Sequence, residues 1–324
     1  MADISREDVA TLIQDAYSNT FLETVAETSQ VRQAFPSVNM GTKQYKIPVL
    51  ATIPHAKWVG ETPNGAGRKP TAKATWGGKN LVAEELAVII PIHENTIDDA
   101  TENVLSDIAV LGGNAIAHAL DAAVLFGTAK PATWISPDLY TSADDAGNLV
   151  AVSDAAGPDD LMGSIFQAAG LLDDDGYDAS DLFARGGLKW KLANLRASDG
   201  TPIYMPSLSS APGSADSVAG LSARFVKGTV LDDADTEVTT WDSDKATSIV
   251  VDRERVRIGV RQDITVKFLD QATVGDINLA ENDMVALRFK ARFAYVLGDI
   301  KAESSEGEGE TRSPVAAVTG GSGS

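Results

Sequence analysis

The sequence contains no cysteine and only three histidines. A chain without cysteine cannot form disulfides, thiolate metal sites or a cysteine nucleophile, and its composition fits synthesis in a reducing cytosol. The histidines are His55, His93 and His118. His93-Glu94 begins like the metal-binding helix of a zinc protease, but Ile97 stands where the second histidine ligand would be. We therefore expect surface or core roles for the histidines, and no metal site.

Glycine-rich and acidic loops also lack the spacing that ligand binding requires. Gly60, Gly65 and Gly67 do not form the G-x-G-x-x-G fingerprint, and Gly77-Gly78-Lys79 lacks the earlier glycine of a phosphate-binding loop. Residues 173–176 (Asp-Asp-Asp-Gly) lack the alternate spacing and the terminal glutamate of an EF-hand loop. A solvated helix end is the favoured interpretation of this acidic run, and a weak calcium site is the alternative.

One pair of carboxylates remains as a candidate for chemistry. Asp98 and Asp99 could form a catalytic pair, but they stand three residues after Asn95 and Thr96, and the capping of a helix start explains them. We therefore expect no catalytic residue and no cofactor. An enzyme, such as a carboxylate-based hydrolase, is the disfavoured class.

An apolar run of 18 residues is also lacking, and residues 1–8 are charged where a signal peptide would be apolar, so we expect no membrane span. The formal net charge is -19. Proteins that grip phosphates normally have a basic surface, so tight nucleic-acid binding is disfavoured, whereas an acidic container wall would not adhere to its contents. Arg288, Lys290 and Arg292 form a basic stripe that faces either DNA or, as we favour, acidic residues.

A long helix is predicted over residues 96–126, where apolar residues recur at steps of three and four. They are Val104, Ile108, Leu111, Ala115 and Ala119. Gly127 and Pro131 end the helix. Gly112 and Gly113 lie inside it, where each costs about 1 kcal/mol relative to alanine. We therefore expect a second element to lie very close to the helix backbone at these glycines.

The expected partner is a half-buried strand over residues 284–297, where apolar and polar or small residues alternate. The apolar positions are Val285, Leu287, Phe289, Ala291, Phe293 and Tyr295. At about 1.5 Å per helical residue and about 3.3 Å per strand residue, the helix and the strand have similar lengths of roughly 46 Å. A long helix along an equally long strand predicts a flat slab without a central pocket.

A projecting hairpin is predicted, in which residues 55–59 run outward and residues 71–80 run back, with Asn64-Gly65 as the turn signal. Before it, Tyr45, Ile47 and Val49 form a strand pattern that Pro48 marks as an edge strand or a free arm. Tryptophans flank the polar tip of the hairpin on both sides. The stretch has too few apolar residues to bury a core, and an isolated hairpin is marginal in water, so we expect it to lean on a neighbouring molecule. The interface candidates are Trp58, Glu61, Arg68, Lys69 and Trp76.

The two ends of the chain differ in composition. An amphipathic helix is predicted from Ser5 to about residue 26. Residues 303–324 are acidic and then rich in glycine and serine, with almost no large apolar side chain, so we expect a disordered tail.

Three groups of short motifs follow one another along residues 44–302. The first group is Trp58-Val59-Gly60-Glu61 and Trp76, before the apolar run 86–92. The second group is Asp175-Gly176-Tyr177-Asp178, Leu192-Ala193-Asn194-Leu195-Arg196 and 199–204. The third group is Ile258-Gly259-Val260-Arg261, 283–288 and Arg292-Phe293-Ala294. This order resembles the major capsid proteins of tailed bacteriophages with the Hong Kong 97 fold. The groups are similar to that family's extended loop, axial domain and closing strands.

The resemblance implies an α+β fold in which a long spine helix packs on a long-stranded antiparallel sheet, with an extended β-hairpin loop and an N-terminal arm. The implied segments are the arm with its amphipathic helix (1–43), the extended loop (44–93), a peripheral domain with the spine helix (94–157), an axial domain (158–257), the closing strands of the peripheral domain (258–302) and the tail (303–324). Some relatives carry a long scaffolding segment before the arm. Here the arm begins almost at Met1, which implies scaffolding that is separate, unnecessary or already removed.

The implied function is that of a major capsid protein. Such a chain assembles with itself into hexamers and pentamers, and these close into an icosahedral virion shell that encloses double-stranded DNA without gripping it. Assembly in the host cytoplasm is implied, with scaffolding, portal, protease or decoration proteins as candidate partners. The alternatives are an encapsulin, which shares the fold and encloses cargo in a bacterial compartment, a phage tail component, and the carboxylate-based hydrolase.

Overall fold

The computed structural model describes residues 25, 28–50, 76–98, 104–152, 160–195, 216–227, 240–275, 277–298 and 312–320. Its helices are α1 (Gln30–Ala34), α2 (Glu94–Asp98), α3 (Val104–Phe126), α4 (Leu139–Asp145), α5 (Asp160–Asp174) and α6 (Leu188–Ala193), with a 3-10 turn at Arg253–Arg255. Its strands are β1 (Ser37–Met40), β2 (Gln44–Leu50), β3 (Trp76–Val82), β4 (Glu84–His93), β5 (Leu149–Ala151), β6 (Asp181–Arg185), β7 (Asp216–Val218), β8 (Leu221–Val226), β9 (Ser248–Val251), β10 (Val256–Leu269), β11 (Thr273–Val274), β12 (Ile277–Asn278), β13 (Met284–Leu297) and β14 (Val315–Thr319). The α+β class expected from the sequence is therefore found.

A four-stranded sheet in the order β1-β10-β13-β4 forms one half of the fold. Its three long strands are antiparallel, as expected, and β1 is added in parallel to β10. The register between β10 and β13 shifts between Arg261 and Thr265, which is a bulge. Strand β13 has the bounds that its alternating sequence predicts.

The half-buried character predicted for β13 holds only along part of its length. The odd-numbered residues from Leu287 to Leu297 face the main core. On the other face, Ala294 and Val296 are also buried, against Met40 and Leu81 from neighbouring strands. Both faces of the strand are therefore covered near its carboxyl end.

The long helix α3 lies on this sheet with almost no space between their backbones. A Cβ placed on Gly112 would lie 2.7 Å from the Phe289 ring of β13, and Phe289 is fully buried. Glycine is therefore required at this crossing, and the close approach expected at Gly112 is confirmed. The helix ends at Phe126, followed by Gly127 with φ +70, as predicted.

The predicted start of the long helix differs from the structure. Asn95 and Thr96 are not caps, because they lie inside α2, which begins at Glu94. Asp98 is the last residue of that helix. Residues 99–103 lie outside the described part of the chain, so the described helix has two separate parts, α2 and α3.

One helical segment passes the length and hydropathy test for a membrane span, contrary to the expectation that none would. This segment is Asp107–Phe126, with a mean hydropathy of 1.6 in its most apolar window. Of that window, 67% is buried inside the protein. The apolar composition of the segment therefore serves the core, in which α3 packs on the four-stranded sheet.

The second half of the fold is a six-stranded sheet in the order β5-β14-β9-β6-β8-β7. Strand β14 pairs in parallel with β5 and antiparallel with β9, and its residues from Val315 to Val318 are fully buried. The prediction of a disordered tail over 303–324 is therefore wrong for residues 315–319. The small apolar side chains of this segment give little local signal for order, but β5 and β9 supply hydrogen-bonding edges on both sides of it. Residues 303–311 and 321–324 lie outside the described residues.

We expect alanine substitution to have opposite effects at two helical glycines. Gly112→Ala would force its Cβ against the buried Phe289 ring and should lower the free energy of unfolding by about 2 kcal/mol. A Cβ added at Gly163 of α5 has no atom within 4 Å, so Gly163→Ala should raise the free energy of unfolding by about 1 kcal/mol. Urea denaturation followed by circular dichroism measures both changes. A stable Gly112→Ala protein would contradict the close packing.

We also expect the C-terminal strand to be indispensable for the six-stranded sheet. Deleting residues 312–324 removes the only described partner of β5, and the loss of burial at Val315 and Val318 alone costs about 3 kcal/mol or more. The truncated chain should lose protease resistance between residues 149 and 251. Deleting only residues 321–324 is the control and should change nothing. Equal protease resistance of both truncations would refute this role.

Candidate assembly surfaces and the arm junction

The base of the predicted hairpin is a two-stranded sheet of β2 and β3, paired from Gln44↔Val82 to Leu50↔Trp76. Trp76 is the first residue of β3. The other interface candidates, Trp58, Glu61, Arg68 and Lys69, lie outside the described residues. Strand β2 is exposed at its start, and Tyr45 keeps 48% of its surface accessible. The pairing of the base strands therefore supports the hairpin, while the role of its tip stays a prediction.

A buried carboxylate ties the N-terminal arm to the long helix. Asp121 of α3 accepts hydrogen bonds from the Ser29 hydroxyl (2.6 Å), the Gln30 amide (2.9 Å) and the Val31 amide (3.2 Å). Ser29 is the N-cap of α1 and accepts from the Arg32 amide. Asp121 thereby satisfies amides at the start of α1 that have no partner within the helix. Burial raises the pKa of Asp121 to about 7, although these hydrogen bonds oppose the rise.

The same short helix also contacts the six-stranded sheet. The Arg224 guanidinium of β8 donates to the Gln33 side chain (3.3 Å) and to the Gln33 carbonyl (3.4 Å). Arg224 Nε lies 3.7 Å from Asp181 Oδ1 of β6 in a buried pair. The rings of Phe35 and Phe183 are 5.4 Å apart. Residues 28–35 are thus fixed by both halves of the fold.

Sequence reasoning missed this junction, although one signal was present. Asp121 is the only acidic residue between Ile108 and Phe126, on a helix that is otherwise apolar on its buried side. A carboxylate in such a position needs hydrogen-bond donors. The sequence does not show which donors reach it, because Ser29 is 92 residues away.

The basic stripe on β13 is paired with acid, as favoured from the sequence. Glu85 Oε2 of β4 lies 2.7 Å from Lys290 Nζ and 3.4 Å from the Arg292 guanidinium. The hydrogen bond from Lys290 is the largest cause of a lowered pKa of Glu85. This pairing takes up two of the three cations that could have faced DNA.

The remaining candidates for chemistry are the histidines and the acidic run 173–176. His93 is exposed at the end of β4, and His118 is half-buried on α3, where burial and then Lys227 lower its pKa. His55 lies outside the described residues. Within the acidic run after α5, Asp175 Oδ2 accepts from the Asn148 side chain (2.9 Å) and the Ser313 amide (3.3 Å). Among the described residues, no three His, Asp or Glu side chains form a group that could hold a metal ion.

The sequence matches one family model, described as the Phage capsid family, over residues 10–302. The chain belongs to the phage capsid family. This family is structural, so the capsid protein is a component of the virion shell. The curated proteins contain no match to this chain.

Solved structures similar to this capsid protein come from several phages. A chain of Mycobacterium phage Cain is 45% identical, with 100% of each chain covered and a TM-score of 0.74. A chain of Mycobacterium phage Bobi is 49% identical, again with 100% of each chain covered, and has a TM-score of 0.73. The capsid of a native GTA particle, computed with C5 symmetry, is 14% identical over 92% of this chain and 91% of that chain, with a TM-score of 0.59. This last likeness concerns the fold alone.

The arm junction predicts a distinctive dependence of stability on pH. A pKa raised to about 7 means that the folded protein holds the Asp121 proton more tightly than the unfolded chain does. The resulting stabilisation is present below about pH 4 and is lost as the pH rises towards 7, by an amount on the order of 4 kcal/mol. Asp121→Asn, which keeps an acceptor oxygen but cannot ionise, should lack this loss.

Urea denaturation of unassembled subunits between pH 4 and pH 8 measures the effect as the difference between wild type and Asp121→Asn. Asp107→Asn is the matched control, because Asp107 is an exposed carboxylate in the first turn of the same helix. Its profile should follow that of the wild type. Parallel profiles for wild type and Asp121→Asn would contradict the buried titration.

Proposed function

We propose that this capsid protein assembles into hexamers and pentamers that close into an icosahedral shell around the double-stranded DNA of a tailed phage. The observation that carries the proposal is the two-stranded sheet of β2 and β3, which among the described residues forms no strand ladder with either larger sheet. It is held to β13 at its base, where Leu81 is buried against Ala294 and Val296 and Lys79 Nζ donates to the Leu297 carbonyl (2.7 Å). A two-stranded ribbon is marginal in water by itself. A neighbouring subunit is the natural support for it.

The arrangement of the elements supports a Hong Kong 97 architecture. In this assignment α3 is the spine helix, β2 and β3 are the base of the extended loop, and the six-stranded sheet belongs to the axial domain. The C5 symmetry named for the GTA capsid fits a fold that can form pentamers. The segment boundaries given above stay predictions.

The charge distribution supports a shell that encloses DNA without binding it tightly. The chain carries a net charge of -19, and Lys290 and Arg292 are engaged by Glu85. The capsomers would assemble in the host cytoplasm, with scaffolding, portal, protease or decoration proteins as further candidate partners. An encapsulin would have the same fold, but the family and the phage relatives favour the phage shell.

Assembly can be tested together with the proposed interface tryptophans. Purified wild type should sediment as capsomers or shells and appear as closed particles by negative-stain electron microscopy. Trp58→Ala combined with Trp76→Ala should leave the circular dichroism of the subunit unchanged but impair shell closure, because buried tryptophans often contribute about 2 kcal/mol or more to an interface.

The control is Tyr45→Ala, which removes an exposed aromatic residue from the base of the same hairpin and should reduce closure less. A wild-type chain that stays a 34.0 kDa monomer at micromolar concentration would refute the proposed assembly. Normal particles of normal heat stability from the double tryptophan variant would refute only the role of the hairpin.

A further inference from the structure

The six-stranded sheet carries two helices on one face, at different positions across its width. Leu172 of α5 and Leu188 and Leu192 of α6 share one core with Leu182 and Val250 of the sheet. Helix α5 packs over β5, β14 and β9, whereas α6 packs over β6. Given the strand order β5-β14-β9-β6-β8-β7, α5 lies towards the β5 edge and α6 towards the β7 edge.

The β5 edge has an open cavity of about 520 Å³ between β5 and α5. It is lined by residues 149–151 of β5 and by Gln167, Gly170, Leu171 and Asp174 of α5, so its lining is part apolar and part polar. Asp174 is exposed and forms no ion pair with a described residue, and the same is true of its neighbour Asp173. The cavity therefore combines apolar side chains with the negative charge of Asp174.

Towards the β7 edge, on the same face of the sheet, helix α6 presents an exposed aromatic side chain and positive charge. Trp190 of α6 keeps 67% of its surface exposed, between Lys189 and Lys191. Lys189 Nζ lies 5.7 Å from the centre of the Phe225 ring of β8, which confirms that α6 reaches towards the β7 edge. Lys191 is exposed. An exposed tryptophan beside lysines is the composition of an interface anchor.

We propose that Trp190 of one copy inserts into the β5–α5 cavity of the next copy, with Lys191 paired to Asp174. The indole would contact the apolar part of the cavity lining, and the lysine ammonium would pair with the Asp174 carboxylate. Apolar surface would thus meet apolar surface, and opposite charges would meet. The high exposure of Trp190 shows that it does not fill the cavity of its own chain, and three strand spacings of about 4.8 Å separate β5 from β6.

This contact is heterologous, because it joins two different patches of the same chain. A heterologous contact repeated head to tail closes into a ring when the rotation between copies allows it. The inference rests on the proposed capsomers and names the residues that hold their rings together. It assigns the contact to a second copy of this chain, and nucleic acid or another virion protein on Trp190 is an outcome that the test can reveal.

The absence of cysteine from the chain permits a direct test by disulfide cross-linking. Particles of the double variant Lys191→Cys with Asp174→Cys are oxidised and run on a denaturing gel without reductant. The expected result is a ladder that ends at five and six copies. Each single variant should give no ladder, and a mixture of the two single variants should give dimers, as a heterologous contact requires.

The control pairs Lys191→Cys with Asp145→Cys. Asp145 is an exposed carboxylate at the end of α4, whose buried residues Leu139 and Ala143 belong to the core on the other face of the sheet, and this pair should not cross-link. A ladder from the control, dimers from a single variant, or particles without any ladder would overturn the contact. Wild-type chains that form no particles would instead overturn the proposed assembly.

Two further variants measure the energy of the contact without oxidation. Trp190→Ala should raise the subunit concentration needed for particle formation about tenfold, and Trp190→Phe should restore most of that loss. Lys191→Glu should impair assembly, and combining it with Asp174→Lys should restore it. Particle formation by Trp190→Ala at the wild-type concentration would overturn the contact and leave nucleic acid or another virion protein as the partner of Trp190.

Discussion

The fold depends on the close crossing of one helix and one strand. At Gly112 the backbone of α3 has no room for a Cβ, because the buried ring of Phe289 occupies that space. This crossing places the long helix directly on the central strand β13, and β10 and β4 extend the sheet on either side. The main core then fills the layer between helix and sheet and continues to the inner face of the six-stranded sheet.

Several polar contacts join residues that are far apart in sequence. Ser29 meets Asp121, Arg224 meets Gln33, and Asp175 meets the Ser313 amide. The first two fix the end of the arm, and the third fixes the C-terminal strand in its sheet. Each uses a buried or half-buried polar group, for which the loss of a partner costs more than the bond itself contributes. Polar pairs therefore fix the arm and the C-terminal strand, while the apolar core shared by the two halves supplies the bulk of the stability.

A shell subunit presents surface to its neighbours, and the described residues include large apolar side chains that are exposed, such as Leu111, Ile135 and Trp190. The net charge of -19, the β2–β3 ribbon outside both larger sheets and the exposed Trp190 are features expected of a subunit that contacts its neighbours. Of the candidates for chemistry that the structure describes, His118 is half-buried on α3 and Asp175 is hydrogen-bonded. Asp175, for example, binds the C-terminal segment and does not head a calcium loop.

The elements whose periodicity is local and strong can be predicted from the sequence. The bounds of β13, the end of α3 at Phe126 and the close approach at Gly112 follow from spacing, glycine positions and alternation. Three features could not be predicted without the folded structure: 315–319 is a buried strand, Asp121 caps α1, and Trp190 lies three strands away from the cavity lined by Asp174. A short strand of small residues has no local signal, because its order comes from hydrogen-bonding edges supplied by β5 and β9. A buried carboxylate likewise has no local signal for its donors, because they come from a distant part of the chain.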